Sequence, residues 1–236
     1  MSVLEIRDLV VRYGPITAVR GVDLDVQKAE IVCLVGPNGA GKSSATLAIA
    51  GALRPTKGSI LFEGADIAAQ PAEKLALAGI SLVPEGRRIF GRMTVRDNLV
   101  AACLPRRKPE DDPQIFSLFP ILRERLGQLA GLLSGGEQQQ LAIARAMLRK
   151  PRLMIVDEPS LGLSPRYVEV VFSALKELRQ QGVSLLVVEQ SARRALTLAD
   201  RIYLMRSGHV VMSGHTETLA QNPQFEASYF GNEAPQ

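Results

Sequence analysis

The chain has no tryptophan, only two cysteines and two histidines, and no long apolar run in its 236 residues. Two cysteines, Cys33 and Cys103, exclude a disulfide-stapled secreted scaffold and point to a reducing compartment. His209 and His215 have no cysteine near them, so they read as hairpin and turn residues rather than metal ligands. Neither sign of charge prevails. Lys and Arg number 28 against 24 Asp and Glu, a net +4 that suggests no nucleic-acid partner. No apolar stretch approaches the ~18 residues that span a bilayer. Residues 1–14 alternate like a strand and lack the basic-then-apolar build of a signal peptide. What is present is 46% hydrophobic residues, enough for a proper core, and the expectation is a soluble, cytosolic protein.

Strand signals at 4–10 and 18–26 flank the turn-prone Tyr13, Gly14 and Pro15. Residues 31–35 form a continuous apolar run, the mark of a central strand buried on both faces. A glycine-rich stretch follows, then a helix-favouring segment at 44–53. Further strands are expected at 59–62 and 80–83 around a helix near 71–78. From about 84 to 150 the chain turns helix-rich, with Thr94 and Asp97 spaced as a capping box and one helix over 136–149. Within it, residues 104–113 read as a proline-broken, charge-dense loop. Then come a buried strand at 153–156, a helix at 165–180, a third apolar strand at 183–188, and a hairpin of 202–205 with 210–212. This is a largely parallel α/β core interrupted by a helical insertion.

Gly36, Pro37, Asn38, Gly39, Ala40, Gly41, Lys42 and Ser43 fit G-x-x-x-x-G-K-S, the P-loop. Glycines let backbone N–H groups curl around phosphate oxygens, and the following helix, opened by Ser44, directs its positive end at the same anion. Lys42 would reach the β- and γ-phosphates, and Ser43 would ligate Mg²⁺. The strand Leu153, Met154, Ile155 and Val156 delivers Asp157 and Glu158 at its carboxyl end, where open α/β sheets bind ligands. Asp157 suits Mg²⁺, and Glu158 is the candidate base for the attacking water.

Leu133, Ser134, Gly135, Gly136, Glu137 and Gln138 complete the pattern. Ser134 supplies a hydroxyl, two glycines expose backbone N–H groups, and a helix begins there, making a second anion site. With the P-loop and the acidic strand, this resembles the ATP-binding-cassette (ABC) ATPases over roughly residues 3–231. The resemblance implies a P-loop, RecA-like α/β core over about 1–84 and 151–236, with an antiparallel β subdomain, and a helical subdomain over about 85–150. It implies that Ser134, Gly135, Gly136 and Gln138 complete the ATP site of an opposing subunit, so that two ATPase chains sandwich the nucleotide. Tyr13 matches the aromatic that stacks on adenine; ordinary edge-strand packing is the other reading. Glu85 stands where the family usually has Gln, still offering an oxygen to metal or water. Gln190 stands where it usually has the switch His, able to hydrogen-bond a γ-phosphate but not to become an imidazolium. Ser164 replaces the Asp that usually ends the loop after Glu158.

The stretches 83–90, 134–139, 157–163 and 188–190 are together similar to the ATPase subunit of branched-chain amino acid importers, the LivF type. That implies ATP and Mg²⁺ as cofactors, two separate permease subunits, a second ATPase chain (different or identical) and an extracytoplasmic solute-binding protein. The expected location is peripheral, on the cytoplasmic face of the inner membrane. Importers of urea, amides or short peptides, lipopolysaccharide exporters, a non-transport cassette acting on DNA or ribosomes, and a nucleotide-sensing module are the rival readings. The basic run Arg87, Arg88, Arg92 and Arg96 reads either as a face toward a permease coupling helix or anionic lipid, or as a solvated, salt-bridged surface.

Overall fold

The computed structural model describes residues 2–103 and 108–225, so part of the charge-dense loop, 104–107, lies outside the described residues. The chain opens with β1 (Ser2–Tyr13) and β2 (Ile16–Gln27), then β3 (Ile31–Val35), which runs through the glycine loop into α1 (Lys42–Ile49). β4 (Lys57–Phe62), β5 (Ala65–Asp66), α2 (Ala72–Ala78) and β6 (Ile80–Val83) follow. Four helices, α3 (Val95–Ala102), α4 (Pro113–Leu118), α5 (Pro120–Glu124) and α6 (Gly135–Met147), come before β7 (Leu153–Asp157). The chain then alternates α7 (Pro165–Gln180), β8 (Ser184–Glu189), α8 (Ala192–Leu198) and β9 (Arg201–Arg206), ending in β10 (His209–His215) and α9 (Thr216–Ala220).

These strands make two sheets. One is antiparallel, in the order β2–β1–β4–β5; the other has the order β10–β9–β3–β8–β7–β6 and is parallel except for the edge strand β10. The parallel strands read as unbroken apolar runs because both faces are covered. Ile31, Cys33 and Val35 point into one core with Met154, Val156, Leu185 and Val187. Val32 and Leu34 point into the other with Leu153, Ile155, Leu186 and Val188. The first core holds the helical insertion, including Leu99, Phe119, Leu122 and Leu141, together with Leu175 of α7. The second holds the antiparallel sheet and α1, through Leu4, Ile6, Val19, Ala45 and Ile49. The molecule is therefore layered, with the parallel sheet in the middle.

Element ends depart from expectation for local reasons. β1 runs on to Tyr13 because bulges, with Asp8 in a left-handed conformation, absorb the break in alternation while pairing to β2 continues. α1 starts at Lys42, since Gly41 at φ +101° ends the loop one residue before it. Thr94 and Asp97 do form a capping box, Asp97 N–H donating to Thr94 Oγ1 at 3.0 Å. Ser134 and Glu137 form a second at the start of α6. Cys33 is buried in β3, where loss of solvent pushes its thiol pKa up, as befits a small core side chain.

Candidate functional site

Strand, glycine loop and helix bring residues 36–44 to the carboxyl edge of the parallel sheet. Gly41 must be glycine twice over: φ is +101°, and a Cβ would sit 2.3 Å from the Ala18 carbonyl oxygen. Pro37, Asn38 and Gly39 are exposed, whereas Gly36 and Ala40 are buried beneath them. Lys42, only 5% exposed, donates from Nζ to the carbonyls of Gly36 at 2.7 Å and Pro37 at 3.1 Å, and pairs with Glu158 Oε1 at 3.7 Å. A cleft of about 560 Å³ is lined by the loop from Asn38 to Ser44 and by Glu85, Glu158 and Gln190. Four segments distant in sequence thus converge on one cleft. Tyr13 stands at its rim, half exposed, its hydroxyl 3.4 Å from Ser44 Oγ.

Asp157 ends β7, and Glu158, the next residue, lines this cleft. Burial pushes the Asp157 carboxyl above its ordinary value and the Glu85 charge adds to this, while a hydrogen bond from Ser43 and the charge of Lys42 oppose it. One of its oxygens, Oδ1, is buried with no hydrogen-bond partner. An orphaned carboxylate oxygen beside a hydroxyl and a second carboxylate is a hard-oxygen set that fits Mg²⁺. Among the described residues no group of three His, Cys, Asp or Glu could hold a metal unaided.

Glu158 is 7% exposed and holds a left-handed backbone, φ +52°, with its N–H donating to the Val188 carbonyl at 3.0 Å. Burial raises its pKa to about 7; Lys42 opposes the rise, Glu189 and Asp157 add to it, and the Gln190 N–H opposes it. A carboxylate poised near neutrality can take and release a proton at physiological pH.

Sequence reasoning missed a clamp behind these groups. Glu189, 1% exposed, accepts from Ser160 Oγ at 2.8 Å, and Arg194 donates to the same hydroxyl oxygen at 2.8 Å. Burial raises the Glu189 pKa, against the hydrogen bond from Ser160 and the charge of Arg194. The clamp ties the loop after Glu158 to the residue before Gln190. Its signal was legible, an acid closing an otherwise apolar strand, but nothing in the sequence says that Ser160 faces it.

The serine-glycine segment lies apart from this cleft. Ser134 is exposed at the start of α6; its N–H donates to Glu137 Oε2 at 2.7 Å, and its hydroxyl is 3.4 Å from the Tyr167 hydroxyl. Gly136 is packed so closely that a Cβ would meet the Tyr167 ring at 2.2 Å. Gln138 has both ends of its amide engaged within the chain, Nε2 donating to the Leu133 carbonyl and Oε1 accepting from Arg87, each at 3.1 Å. Gly135 lies against the same Arg87 guanidinium. The basic run divides: Arg96 pairs with Glu110 at 2.6 Å, Arg92 is exposed, and Arg87 and Arg88 join Arg145 and Arg149 along a groove of about 390 Å³ between β6, α3 and α6. No helix among the described residues is long and apolar enough to cross a membrane.

Comparison with known proteins agrees with this geometry. The ABC transporter family model matches residues 19–161. The chain is 43% identical over 222 residues to the high-affinity branched-chain amino acid transport ATP-binding protein BraG of Pseudomonas aeruginosa, spanning 93% of this chain and 95% of that protein. It is 32% identical over 241 residues to the lipopolysaccharide export system ATP-binding protein LptB of Haemophilus influenzae, spanning 99% of each. A solved nucleotide-free ATP-binding cassette from an ABC transporter matches with a TM-score of 0.87 at 26% identity, covering 98% of this chain and 100% of that one.

Proposed function

This chain belongs to the ABC transporter family as an ATP-hydrolysing subunit, and on that premise we propose that it powers a branched-chain amino acid importer through permease subunits it does not contain. The observation that carries the chemistry is the convergence of Lys42, Ser43, Glu85, Glu158 and Gln190 on one cleft. The loop N–H groups and Lys42 bind the phosphates, and Tyr13 stacks on the base. Ser43 and Asp157 would hold Mg²⁺, with Glu85 nearby, and the ion would supply positive charge to the phosphate oxygens. Glu158 takes the proton of the attacking water, and Gln190 hydrogen-bonds the γ-phosphate.

Ser134, Gly135 and Gly136 are not among the residues that line that cleft, which supports their service to an opposing subunit. Two ATPase chains, this one with a copy or a second kind, would then close on two nucleotides and reopen after hydrolysis. The chain would work as one cassette, its α/β core and its helical part sharing one apolar core. The groove of Arg87, Arg88, Arg145 and Arg149 is where a permease segment would dock, holding the chain at the cytoplasmic face of the membrane. An extracytoplasmic binding protein would deliver the solute, and no nucleic acid is involved.

The solute rests on likeness to BraG. The likeness to LptB favours one second reading, lipopolysaccharide export. Uptake of labelled leucine, isoleucine and valine, with urea in parallel, in native cells carrying Lys42→Ala separates them. Loss of branched-chain uptake alone is expected. Unchanged uptake of all four, with a defective outer-membrane barrier, would transfer the assignment to export.

A further inference from the structure

β9 and β10 are joined by a two-residue turn, Ser207 and Gly208, with φ +49° and +88°. Positive φ at both central residues suits the twist of a tight hairpin, and glycine adopts it readily. Turn chemistry does not account for the rest. Ser207 is exposed, as a hairpin tip should be, but Gly208 is buried. Both of its backbone groups are bonded outside the hairpin: its N–H donates to the Ala40 carbonyl at 3.0 Å, and its carbonyl accepts from the Arg20 N–H at 2.8 Å. Gly208 thus ties the glycine-rich loop to β2.

β9 crowds the loop as well. A Cβ on Gly36 would lie 2.1 Å from the Met205 carbonyl oxygen, and one on Gly41 would lie 2.9 Å from Met205 Cε. Met205 and Ala40 are themselves buried. The peptide joining Ala40 to Gly41 is trans, so its C=O and N–H point in opposite directions. With the Ala40 carbonyl held by Gly208, the Gly41 N–H is turned the other way, and Gly41 lines the nucleotide cleft. Among the described residues that N–H has no acceptor.

We propose that Gly208 is a positioning residue for the nucleotide: by holding the Ala40 carbonyl it aims the Gly41 N–H at phosphates that Gly208, outside the cleft, does not itself touch. This rests on the reading above, in which the loop binds ATP. A phosphate loop works through N–H donors already in place, since a peptide free to rotate must be ordered each time a nucleotide binds. Loop N–H groups of this kind cradle the α- and β-phosphates, which stay with ADP. Gly208 therefore acts on how tightly nucleotide is held, in the ground state and the transition state alike, and not on bond cleavage. A Cβ at Gly208 would lie 2.9 Å from Arg20 Cγ and 3.0 Å from the Ala18 carbonyl oxygen, so alanine there displaces the turn.

Titration calorimetry with Mg²⁺-ADP and steady-state ATP hydrolysis, both on the purified full-length chain, test this. Gly208→Ala should weaken Mg²⁺-ADP binding roughly tenfold, the loss of one hydrogen bond to a charged group, and raise KM for ATP by the same factor with kcat kept. Gly182→Ala is the control. Gly182 is also left-handed, at φ +95°, but a Cβ there meets nothing within 4 Å, and it precedes β8 at the amino end of the parallel sheet. That variant should lose stability and keep wild-type affinity. Arg20→Pro removes the donor to the Gly208 carbonyl on an edge strand, where proline is tolerated. It should show the same shift as Gly208→Ala, and it decides the matter if Gly208→Ala fails to fold. Wild-type affinity in Gly208→Ala, a matching loss in Gly182→Ala, or a fall in kcat with KM unchanged overturns the proposal. Failure of the wild type to bind Mg²⁺-ADP would instead bring down the nucleotide reading itself.

Discussion

Glu158 joins three costs in one residue: burial, a left-handed backbone, and two neighbouring carboxylates, Asp157 and Glu189. Its pKa rises from 4.5 to about 7, so the folded chain holds a proton that the unfolded chain has already released. The stabilising effect of that proton is complete below the unfolded value and is lost as pH climbs through the folded one. Stability of the nucleotide-free chain should therefore fall between about pH 4.5 and about pH 7, and Glu158→Gln, which mimics the protonated form, should flatten that fall. Urea melts of both proteins across this window check it; parallel curves would contradict the assignment. Lys42, Ser43, Asp157 and Glu158 were legible as residues because each belongs to a short contiguous motif. Ser160 was not, because its partner Glu189 is 29 residues away and only folding brings the two together.

At the level of elements, α6 and α7 meet at Gly136 and Tyr167. Alanine is intrinsically the better helix residue, by up to about 1 kcal/mol, so Gly136→Ala on a free helix would stabilise. Here the added Cβ would meet the Tyr167 ring at 2.2 Å, and overpacking of that kind costs about 1–3 kcal/mol. The packing penalty wins. Gly136→Ala should destabilise in the wild type and become neutral or stabilising when Tyr167 is also changed to Ala. Chemical denaturation of the four proteins gives the coupling; an equal cost in both backgrounds would refute the contact. Helices with strong caps or a proline start, such as α6 and α7, could be read to within a residue or two. The antiparallel sheet was harder. β4 pairs with β1 across about fifty residues, whereas β6, of similar composition, joins the parallel sheet, and no local pattern separates the two.

For the whole molecule, the helical insertion and one face of the parallel sheet share a single apolar core, so neither buries its surface without the other. Denaturation followed by far-ultraviolet circular dichroism and by tyrosine fluorescence should give one coincident transition, and two separated transitions would mean that the insertion folds alone. Nucleotide at a hundred times its dissociation constant should add about 2.7 kcal/mol to that stability. Lys42→Ala should remove most of this gain.

Sequence alone determined the family, the phosphate loop, the acidic strand end and the serine-glycine segment, because their chemistry needs fixed residue types at fixed short spacings. Tertiary structure decided which of these lie together. It gathered Glu85, Glu158 and Gln190 around Lys42, set Ser134 on a separate surface, and hung that surface on Arg87 and Tyr167. Such contacts are settled by the layering of the sheet and by close packing between distant segments, and neither leaves a periodic trace along the chain.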